Sequence, residues 1–197
     1  MIDSEVSKNL GPLAPLVGIW EGSKGDDIAP SDDRGIENNK YRERMVFEPI
    51  SRTENHEQVL YGLRYSTTAW RIGEENPFHE DLGYWLWDAQ DKQVMKCFVI
   101  PRGITIIAGG TVEPTAKSFS ISAKGGSSTY GLCHNLFLEK EFKITGFDLT
   151  IAIHDAKSFS YDQNTMLKLK GQTEIFDHRD KNTLSLIKKQ IPGQNDL

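Results

Sequence analysis

Cysteine is nearly absent from this chain, which has only Cys97 and Cys133 among its 197 residues. Small secreted domains that cannot build a sufficient hydrophobic core depend on several disulfides, and two cysteines cannot supply such a framework. A chain of this length buries roughly 70% of the surface that its unfolded form exposes, so it needs no disulfide or zinc site in order to fold. The disulfide-rich scaffolds are therefore excluded.

An excess of basic residues and long apolar runs are also lacking. The sequence has 23 Lys and Arg against 28 Asp and Glu, which gives a net charge of -5. Non-specific binding of nucleic acid needs a clustered basic face, so we expect no nucleic-acid partner. The apolar runs fall short of the roughly 18 residues that span a membrane, and the N-terminus lacks the apolar core of a signal peptide. We expect a cytoplasmic protein without a membrane partner and with one domain over residues 1–197, in an oligomeric state that the sequence leaves open.

The common catalytic motifs are missing as well. The sequence contains no Gly-x-Ser-x-Gly, no phosphate-binding Gly-x-x-x-x-Gly-Lys-Ser/Thr, no Gly-x-Gly-x-x-Gly and no His-Glu-x-x-His, which argues against hydrolases, nucleotide-binding enzymes and zinc proteases of those types. No two of the five histidines are spaced His-x-His or four residues apart. A zinc site would therefore have to be assembled from distant segments.

What the sequence does contain is a repeated alternation of apolar and polar residues, which is typical of half-buried β-strands. Tyr41, Glu43, Met45 and Phe47, for example, share one face of an extended segment. Further candidate strands cover residues 59–65, 82–87, 92–100, 103–112, 117–123, 147–154, 158–161, 165–173 and 183–189. The pattern predicts an all-β fold of about ten mostly antiparallel strands. A closed barrel and a sandwich both protect the edges of such a sheet, and the alternation does not decide between them.

Two polar stretches, residues 23–39 and 125–130, are predicted to be long solvated loops. Ahead of the first strand, Leu13 and Leu16 lie about one helical turn apart, and Pro12 and Pro15 limit the segment to a short helical piece. Because it is too short to be stable alone, its apolar side must dock on the rest of the protein, and one end of a barrel is a natural place.

The sequence from Leu10 to Gly22, Leu-Gly-Pro-Leu-Ala-Pro-Leu-Val-Gly-Ile-Trp-Glu-Gly, resembles the opening of the nitrobindin family of heme-binding β-barrels. Residues 41–47 resemble the family's second strand, 65–70 its third, and 79–84 its His-x-x-x-Gly-Tyr segment. The resemblance covers nearly the whole chain. It implies a ten-stranded antiparallel up-and-down barrel, similar to fatty-acid-binding proteins and lipocalins, with the N-terminal helical segment closing one end and an apolar cavity inside.

The resemblance also implies a cofactor and a chemistry. Members of the family hold ferric heme b, so the cavity is expected to bind heme, to bind nitric oxide at the iron and, if the protein is an enzyme, to act as a peroxynitrite isomerase. The family's axial histidine opens the last strand, and His178 is the candidate near that end of this chain; Asp177 or Asp180 would orient its second ring nitrogen. His79 matches the family's histidine on the distal side of the pocket. The alternative for His178 is a turn histidine, and for His79 a surface histidine after a turn.

Four aromatic residues complete the candidate site. Tyr41, Tyr65 and Tyr84 each lie on an apolar alternating face, where they would either line the pocket or fill the core. Trp20 is expected to lie at the closed end of the pocket, where its large apolar side chain would seal the barrel against the N-terminal segment.

The sequence departs from the family in two places. Lys24 stands where the family's opening signature has a third glycine, with Gly25 beside it, and residues 177–182 are expected to lengthen the loop before the last strand. If that loop carries His178 away from the pocket, the protein is instead a fatty-acid-binding or lipocalin-like carrier of a small hydrophobic ligand that has lost the iron ligand. A third alternative is a barrel filled by its own side chains, with a cavity below the ~300 Å3 typical of ligand sites.

Overall fold

The structure of the chain, a computed structural model, describes residue 6 and residues 8–189. The predicted domain of residues 1–197 therefore has both of its ends outside the described residues. The described part of the chain forms twelve β-strands, and buried and exposed side chains alternate along most of them. These are β1 (Gly18–Pro30), β2 (Ile36–Pro49), β3 (Thr53–Asn55), β4 (Gln58–Arg71), β5 (His79–Asp88), β6 (Gln93–Ile100), β7 (Ile104–Thr111), β8 (Ser118–Gly125), β9 (Gly131–His134), β10 (Phe142–Asp155), β11 (Ser158–Leu169) and β12 (Ile175–Lys188).

The twelve strands form one sheet in the order β2-β1-β12-β11-β10-β8-β9-β7-β6-β5-β4-β3 within the described residues. A further pairing of β2 with β4, from Tyr41 opposite Arg71 to Pro49 opposite Leu63, joins the two ends. The sheet is therefore a closed barrel, and the predicted all-β barrel is confirmed. The short strands β3 and β9 are additions to the ten longer strands of the circuit, and β9 departs from the antiparallel pattern because it pairs in parallel with β8.

Two segments that were expected to be loops are strands. Residues 23–39 belong mostly to β1 and β2, which pair as far as Pro30 opposite Ile36 around a short turn. Residues 177–182 belong to β12, which is paired on both sides. The prediction of a lengthened loop before the last strand is therefore wrong. Most inward side chains of these segments are polar, so the sequence shows no apolar alternation there. The backbone is nevertheless paired with the neighbouring strands.

A short N-terminal element closes one end of the barrel, as the sequence predicted. The 3-10 helix Gly11–Leu16 buries Leu13 and Leu16, with Leu10 ahead of it, against the barrel. Gly11 has a φ of 52°, and a Cβ there would lie 2.5 Å from the Trp87 indole nitrogen, so that only glycine fits. This end is called the floor, and the opposite end, at the turn between β1 and β2, the mouth.

Helices contribute little else to the fold. The second helix, α1 (Leu136–Glu141), begins at Asn135, whose side chain accepts a hydrogen bond from the Leu138 amide. Among the described residues, no helix is long and apolar enough to cross a membrane. Cys97 and Cys133 are both free thiols.

Candidate functional site

A cavity of about 600 Å3 lies inside the barrel between the floor and the mouth. Its apolar wall is formed by inward side chains of β6, β7 and β10, chiefly Phe98, Ile106, Phe147, Leu149 and Ile151. The volume falls within the range of about 300–1,000 Å3 for small-molecule sites. The alternative of a barrel filled by its own side chains is therefore wrong.

His178 faces this cavity from β12. Its Nε2 atom lies 2.8 Å from Oδ1 of Asp27, an inward residue of the paired strand β1. Burial opposes a charge on the imidazole, but the hydrogen bond to Asp27 and the charge of Asp180 outweigh it, and the pKa of His178 is raised. The carboxylate therefore fixes the orientation of the ring and makes it more basic.

A second imidazole, that of His79, faces the cavity from the start of β5. Its Nε2 atom lies 3.7 Å from Oδ2 of Asp81, and the Lys96 ammonium lies at the same distance from that oxygen. Burial opposes ionisation of Asp81, but Lys96 and His79 outweigh it and hold the pKa of the carboxyl below its usual value. Asp81 is thus a buried carboxylate shared by two cationic partners.

A hydrogen-bonded network occupies another part of the wall. Tyr161 donates from its hydroxyl to both carboxyl oxygens of Glu43, at 3.0 and 3.1 Å, and lies 2.6 Å from the Tyr41 hydroxyl. The Asn182 amide donates to Glu43 at 2.8 Å. Burial is the main cause that raises the pKa of Glu43 to about 8, and the nearby charges of Asp180 and Asp81 add to it. The network therefore holds a proton that an exposed carboxyl would release.

The structure brings four of the predicted site residues to the cavity and leaves two outside it. His178, His79, Tyr41 and Tyr65 line the cavity; Trp20 does not. Trp20 is buried in the floor, where its Nε1 donates to the Leu16 carbonyl at 2.7 Å and its ring meets the edge of Phe159.

Tyr84 lies on the outer face of the barrel and is 46% exposed, so the expectation that it lines the pocket is corrected. The alternation along β5 was assigned to the wrong face. Leu82 and Tyr84 point outwards, whereas Gly83, Trp85 and Trp87 point inwards. Glycine at an inward position hid the alternation, because it carries no side chain to mark the apolar face.

Four buried charged residues of the cavity were not identified from the sequence: Asp27, Glu43, Asp81 and Lys96. A signal for two of them was present. Glu43 shares a face with Tyr41 and Phe47, and Lys96 shares one with Val94 and Phe98. A charged residue in the middle of an apolar face is seldom buried without a partner, and it marks a candidate site.

The mouth carries cationic side chains. Arg71 and Arg102 line the opening, and Nε of Arg71 is buried with no hydrogen-bond partner among the described residues. The Arg71 guanidinium also lies over the Phe78 ring, 5.0 Å from its centroid. A buried donor of this kind is available to an acceptor on a ligand.

A match to a protein-family model shows the family to which the chain belongs. Residues 9–185 match the model of the THAP4-like, heme-binding beta-barrel domain. The chain belongs to this family. The resemblance to the nitrobindins found in the sequence is therefore confirmed.

Two individual proteins are similar to this heme-binding β-barrel. A peroxynitrite isomerase of Leifsonia xyli subsp. xyli is 32% identical over 85 residues, which are 43% of this chain and 38% of the relative. The chain thus aligns with well under half the length of that relative. The crystal structure of Rv2717c from M. tuberculosis superimposes with a TM-score of 0.63 and 23% identity, covering 94% of this chain and 99% of the other, and shows the same fold.

The side chains that line the cavity are of the kinds that a heme group requires. Heme needs an imidazole for the iron, an apolar surface for the macrocycle and groups that accept the charge of its propionates. His178 would supply the first, the wall of β6, β7 and β10 the second, and the buried Nε of Arg71 a partner for the third. Burial also raises the pKa of Asp180, a carboxyl that lines the cavity beside His178. The cavity therefore fits heme.

Proposed function

We propose that this heme-binding β-barrel binds heme b in its cavity and that His178 would ligate the iron. The observation that carries the proposal is the position of His178, on the cavity wall with one ring nitrogen held at 2.8 Å by Asp27. Hydrogen-bonded carboxylates of this kind orient histidine ligands and raise their basicity. Since Nε2 is the nitrogen held by Asp27, Nδ1 is the nitrogen that would have to ligate iron.

The protein would position the heme, supply charged side chains around it and exclude water from it. The floor, with Trp20 and Leu13 almost fully buried, closes the barrel to solvent behind the ligand. His79 shapes the polar side of the cavity, and Arg71 and Arg102 would hold the propionates at the mouth. Bound heme would supply an iron that takes up nitric oxide and isomerises peroxynitrite, the activity that the name of the Leifsonia xyli relative states. We propose the same activity for the loaded protein, in the cytoplasm.

Titration of the purified, heme-free protein with hemin tests the proposal. The wild-type protein should develop a Soret band at one equivalent of hemin, and His178→Ala should shift this band and weaken binding at least tenfold. His154→Ala is the matched control, because His154 is an exposed histidine on the outer surface that hydrogen-bonds Ser160. Absence of stoichiometric hemin uptake by the wild type, or an unchanged spectrum in His178→Ala, contradicts the proposal.

The alternative of a carrier that has lost the iron ligand depended on a loop that moves His178 away from the pocket. Residues 177–182 are part of β12, and no such loop is found there. The heme proposal is therefore favoured over the carrier.

A further inference from the structure

A cluster of buried hydrogen-bond donors with few acceptors lies in and behind the wall of the cavity, on strands separate from the one that carries His178. Lys96 of β6 has a side chain that is 7% exposed and faces the cavity. Among the described residues, its one ion pair is with Asp81, at 3.7 Å, which is beyond hydrogen-bond distance. Its ammonium instead lies against aromatic rings, 4.0 Å from the Phe98 centroid and 5.1 Å from that of Tyr65.

Two neighbouring donors are also unsatisfied. The Tyr65 hydroxyl and the Trp85 indole nitrogen are buried and have no hydrogen-bond partner within the described part of the chain. The rings of Tyr65 and Trp85 lie 6.4 Å apart, and the Lys96 ammonium is 5.9 Å from the Trp85 centroid. Leaving a buried donor unpaired costs about 1–3 kcal/mol, so these two donors beside the buried Lys96 ammonium require an explanation.

Acceptors in the cluster are too few for these donors. Oδ2 of Asp81 lies near both Lys96 and His79, and Asp81 also interacts with the Tyr65 hydroxyl, although neither Oδ1 nor that hydroxyl has a well-formed hydrogen bond in the described chain. One carboxylate thus faces two groups that carry or can carry positive charge. The missing component is an acceptor-rich, negatively charged group that enters from the cavity.

We propose that Lys96 and Tyr65 form a subsite that binds an oxyanion, in the form of a carboxylate group. Lys96 would supply the charge and Tyr65 a directed hydroxyl donor, which together match the oxygens of a carboxylate. The polar groups of this subsite lie on β4 and β6, whereas the proposed iron ligand lies on β12, so the subsite does not depend on ligation of iron, although heme would occupy the same apolar wall. Failure of the hemin experiment therefore leaves this inference standing, and the converse also holds.

The surroundings favour a carboxylate that carries an apolar chain. Along β6 the inward residues run from Ile100 at the mouth through Phe98 to Lys96, so the ammonium lies towards the floor. The apolar wall of Phe98, Ile106 and Phe147 continues from it towards the opening. An amphipathic acid that enters with its carboxylate first would place its chain along that wall.

Isothermal titration calorimetry of the heme-free protein with sodium acetate and with sodium dodecanoate, at equal ionic strength, tests the subsite. Both ligands carry the same carboxylate, and they differ only in the chain. Saturable binding of acetate supports a site for free small anions, and saturable binding of dodecanoate alone supports a site for the head group of an apolar acid. Binding of neither ligand overturns the proposal and leaves ordered water as the partner of the donors.

Three variants assign the binding to the cluster. Lys96→Met should weaken carboxylate binding at least tenfold, and the exposed Lys124→Met, which changes the net charge equally, should leave it unchanged. Tyr65→Phe removes a hydroxyl that has no well-formed hydrogen bond, so it should fold as well as the wild type and weaken binding several-fold. If Lys96→Met does not fold, Lys96→Met with Asp81→Asn removes both charges of the pair together. Unchanged binding in Tyr65→Phe and in the folded Lys96 variant contradicts the proposal.

Discussion

Glu43 is a carboxyl group surrounded by neutral hydrogen-bond partners inside the barrel. Two tyrosine hydroxyls and the Asn182 amide complete its network, and no cation pairs with it among the described residues. Burial raises its pKa to about 8, whereas in the unfolded chain it titrates near 4.5. Between these two pH values the folded protein retains a proton that the unfolded chain releases. This group therefore lowers stability as the pH rises from about 4.5 to about 8.

Glu43→Gln should remove that dependence on pH. Relative to the wild type, the free energy of unfolding of the variant should increase between pH 5 and pH 8 by more than about 1 kcal/mol, since one unit of pKa shift is worth 1.36 kcal/mol. Urea denaturation at both pH values measures it. Glu48→Gln on the same strand, where the carboxylate pairs with Arg64 in a partly exposed position, is the matched control. A difference between Glu43→Gln and wild type that stays constant with pH contradicts the assignment.

At the residue scale, sequence patterns predicted the positions of groups better than their partners. The alternation around Tyr41 placed Glu43 on the correct inward face, and the family resemblance pointed to His178. The pairing of His178 with Asp27 joins residues 151 positions apart. Such a contact depends on the register between β1 and β12, which no local pattern in a single sequence specifies.

The strands near the mouth show why element boundaries were harder to predict. Inward positions of β12 carry Phe176, His178, Asp180 and Asn182, and those near the end of β1 carry Asp27 and Ala29. Because Asp27, His178, Asp180 and Asn182 are polar although they face inwards, the apolar alternation is interrupted in both strands. Backbone hydrogen bonds to both neighbours maintain the strand regardless. The half of the barrel that packs on the floor kept its apolar pattern and was predicted well.

A β-bulge in β1 explains the displaced glycine of the opening signature. Gly22 lies opposite Glu43 and Gly25 opposite Tyr41, so β1 has one residue more than β2 in this interval. The extra residue leaves Lys24 exposed and turns Gly25 inwards. A Cβ on Gly25 would lie 2.5 Å from three atoms of the Tyr41 ring.

Gly25→Ala should therefore displace Tyr41 and destabilise the barrel by about 1–3 kcal/mol, the usual cost of forcing extra atoms into a packed site. Thermal denaturation measures the loss. Lys24→Ala, in the same bulge but with an exposed side chain, should change stability by less than about 0.5 kcal/mol. Equal stability of Gly25→Ala and wild type contradicts the close approach of Gly25 to Tyr41.

At the scale of the whole molecule, closure of the barrel brings distant segments together around the mouth. Arg34, in the turn between β1 and β2, donates to the Lys170 carbonyl at 2.8 Å and to Glu141 Oε2 at 2.6 Å. Its guanidinium also lies 5.0 Å from the centroid of the Phe142 ring. One side chain thus connects this turn to the end of α1 and to the turn that precedes β12.

Arg34→Ala should loosen the mouth while the floor stays intact. Hydrogen exchange should accelerate in residues 31–35 and 136–142, and the midpoint of global unfolding should change little, because local opening near the mouth leaves the core contacts in place. Arg52→Ala, which breaks an exposed pair with Glu54, serves as the control. If hydrogen exchange in both segments of Arg34→Ala remains at the wild-type rate, Arg34 does not stabilise the contacts between these segments at the mouth.

In the proposed heme complex His178 would hold the iron, and resonance Raman spectroscopy of the ferrous heme-loaded protein measures that bond. The wild type should show an iron–histidine stretching band that His178→Ala abolishes and that added imidazole restores. The band should persist in His154→Ala. A band that survives in His178→Ala, or no such band in the wild type, contradicts the assignment of His178 as the axial ligand.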